Sequence, residues 1–425
     1  MLDIKYVLNN VEKVREGLLS RNFEISIYDE FVELAKNRGQ IMFEAQNKKA
    51  ELGKLSKEFS KFKNDPAKIQ EIKNQIEAIK QEEQELTEKA NNLNSKINDL
   101  ILQIPNLPLE TVPVGKNEDQ NVILETRDKI GRGLVKAMLP HYEIAKNLDI
   151  IDFERGVKLS GSRYVIYKNE GSRLVRALIN LMIDTHIEKG YNEFATPVIV
   201  KSEMLYGTGN LPKFAEDLYK IESESASYLI PTAEVTLTNI YNNEIVDLSQ
   251  PFKATAYTEC FRSEAGSSGK DTKGLIRQHQ FKKVELVKVT NAEDAWTEYL
   301  AMLEDAKAIL EKLEIPYRTL QLCTGDMGFS SRNTVDLELW LPSEQRFREV
   351  SSVSYMGDFQ ARRAMIRYRN NEGKTEYAHT MNGSGLAIDR VIAALLEIYQ
   401  NEDGTISIPK ALQKYMGDKE FIGKN

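Results

Sequence analysis

Along residues 34 to 104 apolar side chains recur at alternating spacings of three and four. On the first limb Leu34, Ile41, Ala45, Leu52, Leu55, Phe59 and Phe62 keep the pattern once Arg38 and Lys48 are counted as seam positions. On the second limb Ile69, Ile72, Ile76, Ile79, Leu86, Ala90, Leu93, Ile97, Leu100 and Ile104 keep it, with Glu83 as the one polar interruption. A seam of this period held over several heptads predicts a coiled coil. Asn64-Asp65-Pro66 interrupts it with turn chemistry, so the limbs should fold back antiparallel into an arm over about residues 30 to 104, with its tip near 64–66. At ~1.5 Å of rise per residue, about 35 residues a limb make a rod of roughly 50 Å. Pro105, Pro108 and Pro113, followed by a polar run, predict a linker over 105–120 between an N-terminal domain (1–104) and a second domain (121–425).

Beyond the linker the period changes. "SRLVRALINLMIDTHIEKG" has helical spacing and closes on Gly190. "YNEFATPVIV" reads as a strand that Pro197 confines to a sheet edge. "YLIPTAEVTL", "FKATAYTECFR", "LIRQHQFKKVELVKV", "TVDLELWLP" and "FREVSSVS" read as further strands, and "AHTMNGSGLAIDR" as a strand turning through Gly383-Ser384-Gly385 into a helix. Strands joined by hairpins more than by helical crossovers imply an α+β fold with a mostly antiparallel sheet.

Composition narrows the class. The 425 residues suit two or three domains, and 28% charged with 41% hydrophobic residues describes a soluble globular chain. No apolar run suits a membrane helix or a signal peptide. Cys260 and Cys323 are far apart and there are four histidines, so a reducing cytoplasm is expected and a zinc cluster is not. With a net charge of −7, nucleic-acid contact must come from a local patch. One exists: residues 48 to 80, around the arm tip, carry nine lysines against five acids. A basic tip on a long rod suits a phosphate backbone.

The candidate chemistry lies near "ECFRSEAGSSGKDTKG", residues 259–274. Its glycines are too close, and its Lys and Thr too far apart, for a phosphate-binding P-loop, so the stretch reads as the loop of a long hairpin. Arg262 and Glu264 then alternate on one strand, with Arg277 and Phe281 on the other. Gly383-x-Gly385 lacks the third small residue of a dinucleotide fingerprint, since Ile388 stands there. Arg390, early in the following helix, opposes the helix dipole and calls for a strong anion such as phosphate. Glu349 and Ser352 offer hard oxygens suited to Mg²⁺. Two arginines, an aromatic face and metal-binding oxygens are what displacement at an ATP phosphate requires.

"FRSEAGSSGKDTKGLIRQHQF" resembles the second signature of class II aminoacyl-tRNA synthetases, and "GSGLAIDR" the third. "PTAEV", "TGDMGFS", "REVSS" and the helical arm narrow the resemblance to bacterial-type seryl-tRNA synthetases, over essentially the whole chain. Asp389 stands where that family commonly has a small residue. The resemblance implies an antiparallel catalytic sheet flanked by helices, and a homodimer formed through the helix ending at Gly190 and the Pro197 strand. It implies activation of L-serine by ATP with Mg²⁺ and transfer to tRNA(Ser), with tRNA(Sec) an open second substrate. Arg262 and Arg390 would be catalytic, Arg262 on the α-phosphate and the serine carboxylate, Arg390 on the γ-phosphate. Glu264 would accept from the adenine amino group while Phe281 stacks on the ring. Ser263, Arg277, Val350 and Ser351 complete the ATP set, and Glu349 and Ser352 would hold the metal. Thr232, Ala233, Glu234, Arg262, Glu285, Asn382 and Ser384 would form the serine pocket. Lys54, Lys57, Lys61 and Lys68 would grip tRNA. Two rivals remain. A ligase loading an amino acid onto a carrier protein should lack the basic arm, and a non-catalytic RNA-binding dimer should have lost Arg262 or Arg390.

Overall fold

The computed structural model describes residues 1–59, 66–222, 226–266, 269 and 273–423. They form two compact units, Met1–Pro105 and Asn106–Asn425. Among them no helix is long and apolar enough to cross a membrane.

In the first unit the short helices α1 (Ile4–Asn9) and α2 (Val11–Ser20) precede the two long helices α3 (Ile25–Phe59) and α4 (Pro66–Ile101). Val7, Val14, Leu18, Phe31 and Val32 are buried, and the buried Tyr28 donates its hydroxyl to the Val11 carbonyl at 2.8 Å. Every expected seam position among the described residues is buried or half-buried, whereas Lys49, Lys54, Lys57 and Lys68 are exposed. Lys48 sits in the seam because its ammonium reaches Glu82 across it at 2.6 Å. That pair shows which heights of the two limbs face each other and neutralises one lysine of the basic surface. Glu83 keeps its seam place half-buried, accepting from the Thr87 hydroxyl at 3.4 Å. Lys61, Phe62 and Asn64-Asp65 of the expected turn lie outside the described residues. Pro66 opens α4, where its missing N–H removes no helical bond.

The second unit is built on an eight-stranded sheet: β1 (Val122–Arg127), β2 (Asn192–Glu193), β3 (Phe252–Phe261), β4 (Gln280–Thr290), β5 (Tyr317–Gln321), β6 (Asn333–Leu341), β7 (Arg346–Gly357) and β8 (His379–Ala387). The spatial order is β1-β5-β6-β7-β8-β4-β3-β2, antiparallel throughout except where β2 pairs parallel to β3. Helices α5 (Asn169–Glu188), α7 (Ala295–Lys312) and α9 (Ile388–Ile398) share one core with Val284, Leu286, Val335, Leu337, Val353 and Met381 of the sheet. The short helices α6 (Glu234–Thr238) and α8 (Phe359–Ala364) join a second core with Val287 and Val289.

Several local expectations change. The 191–200 stretch is not one strand. It pairs at Asn192–Glu193 with β3, then passes Pro197 and enters a separate small sheet at Ile199–Lys201. "YLIPTAEVTL" is a short strand, Ser227–Leu229, and then α6. Gly383-Ser384-Gly385 is no turn but lies within β8, and α9 starts at Ile388. Its glycines answer to packing: a Cβ on Gly385 would come within 2.7 Å of His186 Nε2 and 3.1 Å of Val284. Gly385→Ala should therefore cost roughly 1–3 kcal/mol of stability, read as a lowered melting temperature; an unchanged melt would show that His186 yields freely. The segment read as a linker is strapped to the second unit. Asn106 donates to the Ser330 and Met356 carbonyls at 2.8 and 2.7 Å, and Leu109 and Val112 pack with Leu322 and Met327.

Candidate active site

The site begins where one face of β4 changes character. Phe281, Lys283 and Glu285 alternate toward that face, and Val287 and Val289 continue it as core. The polar end opens on a cleft of about 580 Å³. Of the candidate residues, Thr232, Glu234, Arg262, Glu264, Arg277, Phe281, Glu349, Val350, Ser352, Asn382, Ser384 and Arg390 line it. Ala233, Ser263, Glu285 and Ser351 do not; they stand behind or beside the wall. Ala233 is buried in the second core, Ser263 Oγ donates to the Glu216 carbonyl at 2.5 Å, and Ser351 Oγ donates to the Ser384 carbonyl at 2.7 Å.

One end of the cleft is acidic. Glu285 is fully buried and accepts from the Thr232 hydroxyl at 2.8 Å, with the Asn382 amide at 3.5 Å. Its charge is balanced by Lys283, whose ammonium is 2.5 Å away. Glu234, at the start of α6, accepts from the Gln360 amide at 2.6 Å. Burial, and then the charge of Glu285, push the Glu234 carboxyl up to about 7. Asn382 also lines the cleft, and its Oδ1 is buried without a hydrogen-bond partner.

The other end carries guanidinium groups. β3 ends at Phe261 and β4 begins at Gln280, so Arg262, Glu264 and Arg277 lie in the connection rather than on the paired ladder. Two bonds keep its limbs together: Arg262 N–H donates to the His279 carbonyl at 2.9 Å, and His279 Nδ1 to the Arg262 carbonyl at 3.0 Å. Glu264 takes a left-handed turn, φ +54°, and pairs with Arg277 at 2.8 Å. Arg262 stands 5.1 Å from the Phe281 ring centroid and donates Nε to the Pro231 carbonyl at 3.4 Å. Arg390 donates Nε to the Ile276 carbonyl at 3.1 Å and Nη1 to the Glu349 carbonyl at 2.6 Å, with the Glu349 carboxylate at 3.7 Å.

Beside Arg390 the oxygens expected for a cation are present. Ser352 Oγ donates to Asp336 Oδ1 at 2.6 Å. Burial, and then the nearby Glu349 charge, drive the Asp336 carboxyl well above the usual range. The oxygens of Asp336, Ser352 and Glu349 are of the hard type that suits a divalent cation. Among the described residues no group of three or more His, Cys, Asp or Glu side chains is placed to hold a metal ion.

Lys283, Gln360 and Asp336 were missed in the sequence. Lys283 was legible in principle, as a lysine alternating with Phe281 and Glu285 on a strand. Gln360 and Asp336 carry no motif and arrive by chain folding alone. Asp389 is a tie: it accepts from the Tyr167 hydroxyl at 2.5 Å and from Lys282 N–H at 2.7 Å. The arginines at 362, 363, 367 and 369 are split between α8 and a short strand, and Arg363 donates to the Tyr206 and Leu211 carbonyls.

Comparison with known proteins agrees at both ends of the chain. Residues 219–399 match the tRNA synthetase class II core domain (G, H, P, S and T), and residues 1–108 the seryl-tRNA synthetase N-terminal domain. Serine--tRNA ligase of Mycoplasmopsis agalactiae is 58% identical over 99% of this chain and 100% of its own. That of Pelotomaculum thermopropionicum is 48% identical over 100% of both. Among solved structures, seryl-tRNA synthetase from Pyrococcus horikoshii complexed with ATP superposes with a TM-score of 0.94 at 34% identity, covering 100% of both chains.

Proposed function

This chain belongs to the seryl-tRNA synthetases and joins serine to tRNA at the expense of ATP, and from that premise we propose which of its residues carry each step. The observation that carries the assignment is the opposite charge of the two ends of one cleft. Guanidinium groups at 262, 277 and 390 suit a polyphosphate, and Glu234, with Glu285 behind it, suits an ammonium.

In this reading Arg262 lies between the reacting groups and holds the α-phosphate and the serine carboxylate as the carboxylate oxygen attacks phosphorus and pyrophosphate leaves. Arg390 holds the γ-phosphate, Phe281 stacks on adenine, and Glu264, braced by Arg277, accepts from its amino group. Glu349 and Ser352 would hold Mg²⁺, with Asp336 behind Ser352; the metal would supply charge neutralisation on the phosphates. Glu285, fixed by Lys283 behind the wall, holds the Thr232 hydroxyl toward the serine hydroxyl, while Glu234 and Asn382 take the ammonium. No acid or base is required for adenylate formation, because orientation and charge neutralisation lower its barrier. The arm tip at Lys54, Lys57, Lys61 and Lys68 binds tRNA(Ser), and its phosphate contacts would serve tRNA(Sec) equally, which charging of each tRNA tests. Homodimerisation through α5 and the Pro197 segment leaves Ile187 and Ile199, exposed in one chain, available for the contact. Residence in the cytoplasm accords with two buried free thiols.

Glu234 makes the pocket testable by pH. With its carboxyl near 7, a proton competes with the serine ammonium below that value. The KM for serine should rise about tenfold between pH 8 and pH 6. Glu234→Gln should remove that dependence. Exchange assays at saturating ATP check it, and a flat serine KM across this window would exclude Glu234 as the ammonium partner.

A further inference from the structure

A buried pair lies outside the cleft and takes no part in the roles above. Glu397, on α9, is fully buried and receives four hydrogen bonds: His141 N–H at 2.9 Å, His141 Nδ1 at 2.7 Å, Ser343 N–H at 2.7 Å and Ser343 Oγ at 2.8 Å. Burial alone would raise its carboxyl, but these donors, His141 foremost, hold it below the usual range. With Nδ1–H given to Glu397, His141 Nε2 is an acceptor. It takes the backbone N–H of Leu275 at 3.1 Å. The approach is close enough that a Cβ on Gly274, φ +75°, would stand 2.1 Å from Nε2.

Leu275 begins three consecutive residues with contacts in the cleft wall. The next carbonyl, Ile276, accepts Arg390 Nε, and the next side chain, Arg277, pairs with Glu264. Arg390 and Glu397 lie two turns apart on the same helix. The β3–β4 connection is therefore held to α9 at two points, through His141 and through Arg390.

We propose that His141, oriented by Glu397, is a positioning residue for ATP: it fixes the height of residues 275–277 on α9, so that Arg390, Arg277 and Glu264 meet the nucleotide in register. This rests on the reading of those three residues as the ATP site. His141 touches no substrate, and the serine pocket on β4, α6 and β8 does not depend on it. A loss of this tie should thus appear in ATP binding and leave serine binding alone.

Two amides separate the two bonds of the imidazole. In His141→Asn the side-chain NH₂ takes the place of Nδ1–H and keeps Glu397 satisfied, but nothing reaches Leu275. In His141→Gln the amide oxygen extends to where Nε2 accepts. ATP–pyrophosphate exchange on the full-length protein should show His141→Asn with its KM for ATP raised about tenfold, its KM for serine within about twofold of the parent, and its melting temperature little changed. His141→Gln should recover the larger part of the ATP defect. Arg262→Ala, assayed in parallel, reports on the site itself: if exchange survives it, the ATP-site reading fails and this inference with it. If Arg262→Ala abolishes exchange while His141→Asn leaves the KM for ATP unchanged, or raises both KM values equally, the positioning role alone is overturned.

Discussion

Arg262→Ala is expected to reduce serine-dependent ATP–pyrophosphate exchange by about 10²- to 10³-fold. Arg262 lines the cleft, and no carboxylate pairs with it among the described residues. Charge that develops as the serine carboxylate attacks the α-phosphate would lose its stabilising donor, and removing such a donor typically costs ~3–4 kcal/mol. Arg262→Lys should restore only part of the rate, because an ammonium keeps the charge but lacks the planar fork that can address two oxygens at once. Exchange at saturating serine and ATP reads the effect directly. A variant that exchanges at the parent rate would remove Arg262 from the reaction.

The second large effect separates the arm from the cleft. Lys48 faces Glu82 across the limbs, so cutting after Ile41 and resuming at Ala90 with a short turn shortens both limbs evenly. The buried base around Phe31 and Val32 remains. Every residue proposed for serine and ATP lies in the second unit, so activation by the shortened protein should stay near the parent rate while charging of tRNA collapses. In the full-length chain, reversing Lys54, Lys57, Lys61 and Lys68 to Glu should weaken tRNA binding and flatten its salt dependence. Each lost phosphate contact removes about 0.7–0.9 from the log–log slope. Both half-reactions on the deletion, and tRNA affinity against salt on the reversal, test the assignment. Normal charging by the shortened protein would make the arm a spacer.

The rival readings fare differently. The carrier-protein ligase was to lack the arm, and residues 1–108 match the seryl-tRNA synthetase N-terminal domain. The non-catalytic dimer was to lose Arg262 or Arg390, and both line the cleft.

What could be read from the chain alone follows interactions that are local or periodic. The seam from Leu34 to Ile104 was legible because a coiled coil buries every third or fourth residue whatever lies elsewhere. Even its exceptions, Arg38, Lys48 and Glu83, kept their places. β6 and β7 were legible for the same reason: alternation with period two marks a strand before its partner is known. The motif residues named the catalytic family, since short stretches such as "FRSE" and "GSGLAIDR" keep their chemistry within a few positions. Tertiary structure decided what depends on residues far apart in the chain. Whether Arg262 and Arg277 sit on a ladder or in a loop depended on where β3 and β4 stop pairing. Gly385 depended on His186 packing over it, and the acidic end of the cleft on a lysine neutralising Glu285 beneath Thr232. His141 and Glu397 are 256 residues apart, and no period or motif joins them. Their bond exists because the sheet and α9 bring those backbones together, where a buried carboxylate must find donors or lose its charge.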